Sequence, residues 1–467
     1  MWRRFVLPDA ISGIETMTKI VLIGAGSMQF GTGMLGDIFT SQTLRGCEIV
    51  LHDIDAGAAN RMAKRARDHI AYKGLDHVVH VEPDLGKALV GCHFVVISIE
   101  VGDRFELWDM DWNIPQQYGV TQVYGENGGA GGLFHSLRII PHILEICGKI
   151  MDHAPHATVF NYSNPMSRIC TTVHRAYPDL TFVGMCHEIA SLERHLPTLL
   201  NQPRRNIRYR AAGLNHLSVM AQCQYVDSGA DAYPDVRARA DTYFGKQPGY
   251  SEILSASRAT GQSIDTEGWM DIDLDHIKKV RPWSDRQLFK VILDRFGMLP
   301  ITYDSHFGEY IQWAYDCSDH RGILDFYTYY RQYLGARTPD IGSVLQERVV
   351  PIIDALLDGN AYEEAAVNIP NAGFIQGLPD WIVVEVPAMI GPNALRGIAV
   401  DLPAGIRGLL SNQIGVHDLT ADAVLHKSRD LVVQALLVDP VVTVSKGIDD
   451  LVDHMISEQA PWLDYLK

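Results

Sequence analysis

Cys186-His187-Glu188 and Gly213-Leu214-Asn215-His216-Leu217 each follow an apolar run, with Cys186 and His216 thirty residues apart. A thiolate and an imidazole at two strand ends can share a divalent transition metal. Two protein ligands leave positions open for substrate oxygens, as Lewis-acid catalysis requires. Spacing alone leaves a plainer reading open: a lone buried cysteine is a small hydrophobe, and a lone histidine a satisfied core residue.

A second chemistry is written in Lys19 to Gly36, KIVLIGAGSMQFGTGMLG. The apolar run Ile20 to Ile23 breaks at Gly24-Ala25-Gly26 and resumes in a helix-compatible pattern. Gly24 permits a tight turn and Gly26 a close approach of backbone to a pyrophosphate, which the following helix N-terminus would bind. Gly31 stands two residues late for G-x-G-x-x-G, and a plain strand–helix turn fits the same pattern. The next apolar run, Glu48 to Asp55, ends in acids where a ribose 2′-OH partner is expected, Asp53 being the better placed. An acid there favours NAD over NADP, because it repels a 2′-phosphate.

Three further polar stretches stand out. Gly125 to Gly132, GENGGAGG, surrounds Glu126 and Asn127 with glycine, which suits either close backbone approach to a ligand or a flexible surface loop. Asn161 and Asn164, in NYSNPM, can donate to and accept from sugar hydroxyls, or form turns beside Pro165. Tyr303 to Tyr310, YDSHFGEY, packs five titratable side chains into eight positions.

Positioning these residues requires an alternating architecture. Strands are expected at 19–24, 47–52, 79–82, 93–99, 157–161 and 181–185, with helices such as Ala56–Tyr72 and Phe134–His153 between them. Strand–helix alternation implies a doubly wound, mostly parallel α/β sheet, with ligands outside the carboxyl ends of the strands. Residues 225–280 read as an irregular insertion or lid with helical pieces such as Val236–Phe244; a helix follows at Asp285–Phe296. The tail from Gly322 to Lys467 reads as mainly helical with one strand, Trp381 to Val386. The expected division is a flexible N-terminal extension at 1–16, a Rossmann-type domain at 17–200 and a C-terminal catalytic and oligomerisation domain at 201–467.

A chain of 467 residues with 47% apolar and 21% charged residues has the composition of a globular protein of about two domains. A formal charge of −16 argues against nucleic-acid or anionic-membrane partners. No apolar run reaches the length of a membrane span, and the start is a poor signal peptide. Seven scattered cysteines with no CxxC pair fit a reducing cytoplasm.

In order, GAGS-x-x-FG, LHDID, GENGGAGG, NYSNPM, CHE, GLNHL, DSHFGEY and the late Asn371, Gly373, Ile375, Leu378 and Val383 to Ala388 resemble glycoside hydrolase family 4 across residues 18–460. This family is an exception to two-carboxylate glycoside hydrolysis. The resemblance implies a lactate/malate-dehydrogenase-like C-terminal α+β domain, a homodimer or homotetramer, and two cofactors, NAD and a divalent metal, usually Mn²⁺. It implies oxidation of the sugar at C3 by NAD⁺, removal of the C2 proton, elimination of the aglycone, addition of water and return of the hydride. By the same resemblance Cys186 and His216 hold the metal and His187 is the general acid. Asp304 is the base, with Tyr303 as second choice. Glu126 supports the base, Asn164 contacts substrate, and Gly24, Gly26, Ser27 and Asp53 contact NAD.

Two departures direct the substrate. Phospho-sugar members carry Asp or Asn where His187 stands, and an Arg in the loop after the fourth strand. Here that stretch, Gly102 to Pro115, has Leu107 and Trp108 near that place and Arg104 as its only arginine. The reading is therefore an α-glycosidase of non-phosphorylated hexoses or hexuronic acids, like the α-glucosidase or α-galacturonidase branches. The alternative is a dehydrogenase of the lactate/malate class that releases NADH; the Arg and His–carboxylate constellation it needs is not found.

Overall fold

The computed structural model describes residues 5–6, 17–26, 28–260, 281–333, 340–342, 347–392 and 394–466. Its strands are β1 (Phe5–Val6), β2 (Lys19–Ile23), β3 (Glu48–His52), β4 (Val78–Val81), β5 (Phe94–Ile97), β6 (Thr158–Asn161), β7 (Phe182–Gly184), β8 (Ile207–Leu214), β9 (Leu217–Tyr225), β10 (Leu299–Pro300), β11 (Tyr362–Pro370), β12 (Val383–Gly391) and β13 (Ala394–Gly397). They form one sheet in the order β10-β9-β8-β12-β11-β7-β6-β5-β2-β3-β4, with β13 beside β12 and β1 beside β13.

From β7 to β4 every pairing is parallel. The six strands expected in this half are β2 to β7, each within two residues of its expected bounds. Their alternate residues face two apolar layers. Ile20, Leu22, Ile49, Leu51, Phe94 and Val96 enter one, and Val21, Ile23, Val50, Val95 and Ile97 the other. A parallel sheet buried on both faces must read as continuous apolar runs, which is why these strands were legible. Helix Ala56–Lys73 is bounded as its sequence dictates: Asp55 accepts from Gly57 N and Ala58 N, and Gly74 ends it at φ 65°.

The remaining strands extend the sheet antiparallel. Asn368 of β11 pairs Gly184 of β7, and Glu385 of β12 pairs Gly213 of β8. Gly184 must be glycine, because a Cβ there would stand 2.6 Å from Met166 Sδ and 2.9 Å from Asn368 Cβ. Both apolar layers continue across this junction, with Val384 and Val386 in one and Val383 in the other.

Several expectations are corrected. Among the described residues, the tail after Gly322 holds three strands, β11 to β13, not one. Gly102 to Pro115 is not a loop: Arg104–Gln117 is a helix capped by Asp103, which accepts from Phe105 N and Glu106 N. Gly129–Gly132 form the first turn of a buried helix, Gly129–His153. Their glycines make room for protein backbone rather than ligand, since a Cβ on Gly131 would lie 2.3 Å from Gly125 O and one on Gly132 2.2 Å from Asn127 C. In the extension expected to be loose, Phe5 and Val6 pair with Leu395 and Ala394. Residues 233–244 and 250–260 of the expected insertion are helical, and its 261–280 portion lies outside the described residues.

Candidate active site

The carboxyl end of β7 delivers Cys186, and the two-residue connection from β8 to β9 delivers His216. Cys186 Sγ is 3.5 Å from His216 Nε2. His216 sits at φ 66°, a region where glycine is the easy residue and where strained side chains mark functional sites. The turn is held from below: Glu385 of β12 accepts from Asn215 Nδ2 at 2.8 Å and from Ser218 Oγ at 3.0 Å.

Burial, then the adjacent His306, keeps the His216 imidazole well below its ordinary pKa, hence neutral. Its Nδ1 is buried without a partner. Burial, then Glu188 and Glu385, raises the Cys186 thiol, a direction a bound cation reverses. A neutral imidazole and a thiol converging on one point suit a divalent transition metal. Among the described residues no three His, Cys, Asp or Glu side chains form such a group, so Cys186 and His216 stand as a pair.

Around this pair lies a band of acids and cations. His306 lies beside His216 with ring centroids 4.6 Å apart and the planes tilted by 40°. Its Nε2 faces Glu188 Oε1 at 3.4 Å and its Nδ1 faces Glu126 Oε2 at 3.6 Å. Burial holds His306 down to about 3, and burial with Glu126 and Glu385 nearby pushes Glu188 up to about 8. A protonated Glu188 can therefore donate to His306. Arg104 Nη2 reaches Glu126 Oε1 at 2.5 Å, and its Nη1 reaches the Tyr330 hydroxyl at 2.7 Å. The Arg104 guanidinium also lies 3.7 Å from Glu100.

The expected residues divide clearly. Cys186, His216 and Glu126 come together in this band. His187 opens the 3₁₀ turn after Cys186 and is exposed at its rim. Asn164 offers a buried Oδ1 that accepts no hydrogen bond, whereas Asn161 ends β6 and its side chain is bonded to Ser163 O and N. Asp304 is not brought to the band. It is fully buried, and its carboxylate accepts from Leu288 N, Phe289 N and Asp319 N, capping helix Gln287–Phe296. Tyr303 is half-buried, its ring centroid 4.5 Å from the Arg286 guanidinium. Arg286 is itself bonded to His195 Nε2 at 3.2 Å.

At the other end of the sheet's ligand edge, Gly24 turns at φ 83° and its N–H donates to His52 O. Gly26 N donates to Asp53 Oδ2 at 2.7 Å, so the acid closes the glycine turn. A Cβ on Gly26 would stand 2.6 Å from Ala58 Cβ and 2.8 Å from that carboxylate. This glycine turn leads into helix Met28–Thr40, and a helix N-terminus after such a turn suits a dinucleotide pyrophosphate. Ser27 lies outside the described residues.

His306, Glu188, Arg104 and Glu309 were not singled out for roles from sequence. The dense titratable run 303–310 signals His306 and Glu309 only.

Comparison with known proteins gives a consistent answer. The description "Family 4 glycosyl hydrolase" matches residues 19–202, and "Family 4 glycosyl hydrolase C-terminal domain" matches residues 211–442. The chain is 60% identical over 451 residues to an alpha-glucosidase of Erwinia rhapontici, covering 96% of this chain and all of that protein. It is 26% identical over 485 residues to an alpha-galacturonidase of Thermoanaerobacterium saccharolyticum, covering 96% of this chain and 97% of that one. The crystal structure of a 6-phospho-alpha-glucosidase from gut microorganisms, in complex with NAD and Mn²⁺, superposes with TM-score 0.75 at 20% identity, over 95% of this chain and 98% of that one.

Proposed function

The chain belongs to family 4 of the glycosyl hydrolases, and we propose that it hydrolyses α-glucosides of non-phosphorylated sugars with NAD and a divalent cation, Mn²⁺ by preference. The observation that carries this reading is the Cys186–His216 pair, 3.5 Å apart at the ligand edge of the sheet and flanked by Glu188, His306 and Glu126. The 60% identity to an alpha-glucosidase supports glucose over galacturonate. So does Arg104: its charge is taken up by Glu126 and Glu100 rather than left for a sugar carboxylate or phosphate.

Bound NAD supplies a reversible hydride acceptor and the bound cation a Lewis acid. Gly24, Gly26 and Asp53 hold the dinucleotide; Cys186 and His216 hold the cation. His187, open at the rim, donates a proton to the departing oxygen. Tyr303, not Asp304, removes the proton from C2, since the Asp304 carboxylate is committed to three backbone N–H groups. Glu126, fixed by Arg104, supports that base. The free Oδ1 of Asn164 accepts from a sugar hydroxyl.

The test is hydrolysis of aryl α-glucosides, α-galactosides and α-galacturonides with and without NAD⁺, Mn²⁺ and thiol. Cleavage of the α-glucoside that requires all three additions, with no net NADH, is the expected result. NADH accumulating from a free sugar or 2-hydroxy acid without glycoside cleavage would instead make the chain a dehydrogenase.

A further inference from the structure

Glu126 reaches the band of acids and cations from a turn that has no regular hydrogen-bonding scheme of its own. Its neighbours are Gly125, Asn127 and Gly128, and the helix that follows begins at Gly129, whose cap residue Gly128 offers no side chain. The buried backbone N–H groups of this turn must find acceptors. Two of them find one carboxylate 183 residues away. Glu309 Oε1 accepts from Glu126 N and from Asn127 N at 3.1 Å, and Oε2 accepts from Asn127 N at 3.1 Å. The Glu309 side chain is 3% exposed. The fit is tight: a Cβ on Gly128 would stand 2.6 Å from Glu309 Cβ.

The other side of the same residue is held as well. Glu126 O faces His135 Nδ1 at 2.9 Å, and His135 Nε2 faces Glu100 Oε1 at 3.3 Å. Both peptide groups of Glu126 are therefore clamped, while its side chain is left to Arg104 and His306. Glu309 also belongs to the segment that carries Tyr303 and His306, so one carboxylate fixes the distance between two walls of the site.

We propose that Glu309 is a positioning residue, a remote carboxyl cap that sets the orientation of Glu126 for the reaction. This rests on the role given above to Glu126. A carboxyl group is suited to the task because both of its oxygens accept from this one turn. An amide offers one accepting oxygen and turns an N–H toward Asn127 N.

The test is a mutant cycle on the full chain with NAD⁺, Mn²⁺ and thiol, using an aryl α-glucoside. Glu309→Gln is expected to lower kcat at least tenfold with KM within twofold and Mn²⁺ affinity unchanged. Glu309→Asp, which keeps the carboxyl group but loses one methylene of reach, is expected to fold and to lose kcat in the same way. The E126Q/E309Q double variant is expected to be no slower than E126Q alone. An E309Q or E309D protein that melts lower but keeps kcat has lost only a structural contact, and overturns the proposal. Losses that multiply in the double variant overturn it too, because Glu309 would then act apart from Glu126. If E126Q alone keeps the parent kcat, the role of Glu126 in the reaction falls, and this proposal with it.

Discussion

Arg104 and Glu126 stand 2.5 Å apart, Nη2 to Oε1, although 22 residues separate them in the chain. The arginine projects from a helix, Arg104–Gln117, packed along the helix that starts just after Glu126. Its guanidinium also lies over the Trp108 and Tyr330 rings at 5.6 and 5.0 Å. Aromatic faces exclude water and fix the plane of the cation.

Arg104→Gln is therefore expected to lower kcat/KM for an aryl α-glucoside by roughly 10- to 100-fold, the worth of one charge-assisted hydrogen bond of about 1.5–3 kcal/mol. Arg104→Lys should recover little, because a point charge cannot bond Glu126 and Tyr330 in one plane. Steady-state kinetics of the two variants decides the matter; a fully active lysine variant would reduce Arg104 to a source of charge.

Cys186→Ser is expected to abolish Mn²⁺-dependent hydrolysis and to leave NAD binding intact, because the glycine turn at Gly24–Gly26 shares no residue with the metal pair. Mn²⁺ binding followed by electron paramagnetic resonance and NAD⁺ binding followed by fluorescence separate the two sites. Full activity of the variant in chelator would sink the metal assignment.

Tyr303→Phe and Asp304→Asn should separate two kinds of damage. Removing the Tyr303 hydroxyl is expected to slow kcat by about 100-fold or more and to stop exchange of the sugar's C2 proton with solvent deuterium, with the melting temperature unchanged. Asp304→Asn leaves one accepting oxygen for the three N–H groups of Leu288, Phe289 and Asp319 and is expected to cost about 1–2 kcal/mol of stability, as a lost helix cap does. Exchange persisting in the phenylalanine variant and vanishing in a well-folded asparagine variant would return the role of base to Asp304.

What sequence made legible follows a physical rule. Ile20 to Ile23 and Val95 to Ile97 announce themselves because a strand buried on both faces admits only apolar residues. Cys186 and His216 are legible because ligands gather where such strands end. Asp304 misleads for the opposite reason: its neighbour His306 lies beside His216, but whether a carboxylate two residues earlier points the same way or to a helix end depends on a backbone turn of a few residues. Glycine in GENGGAGG likewise signals close approach without saying what approaches; here it is the backbone of Gly125 and Asn127 and the side chain of Glu309. Arg104 and Glu309 act across 22 and 183 residues, separations that carry no local pattern.

Asp285 supplies a pH prediction. Its side chain is 5% exposed, and burial, with Asp319 and Glu252 nearby, raises its carboxyl from 3.8 to about 7. The folded state therefore binds this proton more tightly than the unfolded chain. Between about pH 4 and pH 7 stability falls as pH rises, because folding holds a proton the unfolded chain has already released; above about 7 the contribution is fully lost. Asp285 Oδ2 accepts from Tyr250 N at 2.6 Å, while Oδ1 has no partner. An amide can thus keep the one hydrogen bond and bring no charge. Asp285→Asn is expected to be close to the parent in stability near pH 4.5 and more stable by roughly 1–3 kcal/mol at pH 8. Melting temperatures of the two proteins from pH 4.5 to 8.5 measure this directly. Parallel curves, or a variant less stable at pH 8 than at pH 4.5 by as much as the parent, would mean that Asp285 stays ionised throughout and that its backbone partner outweighs its burial.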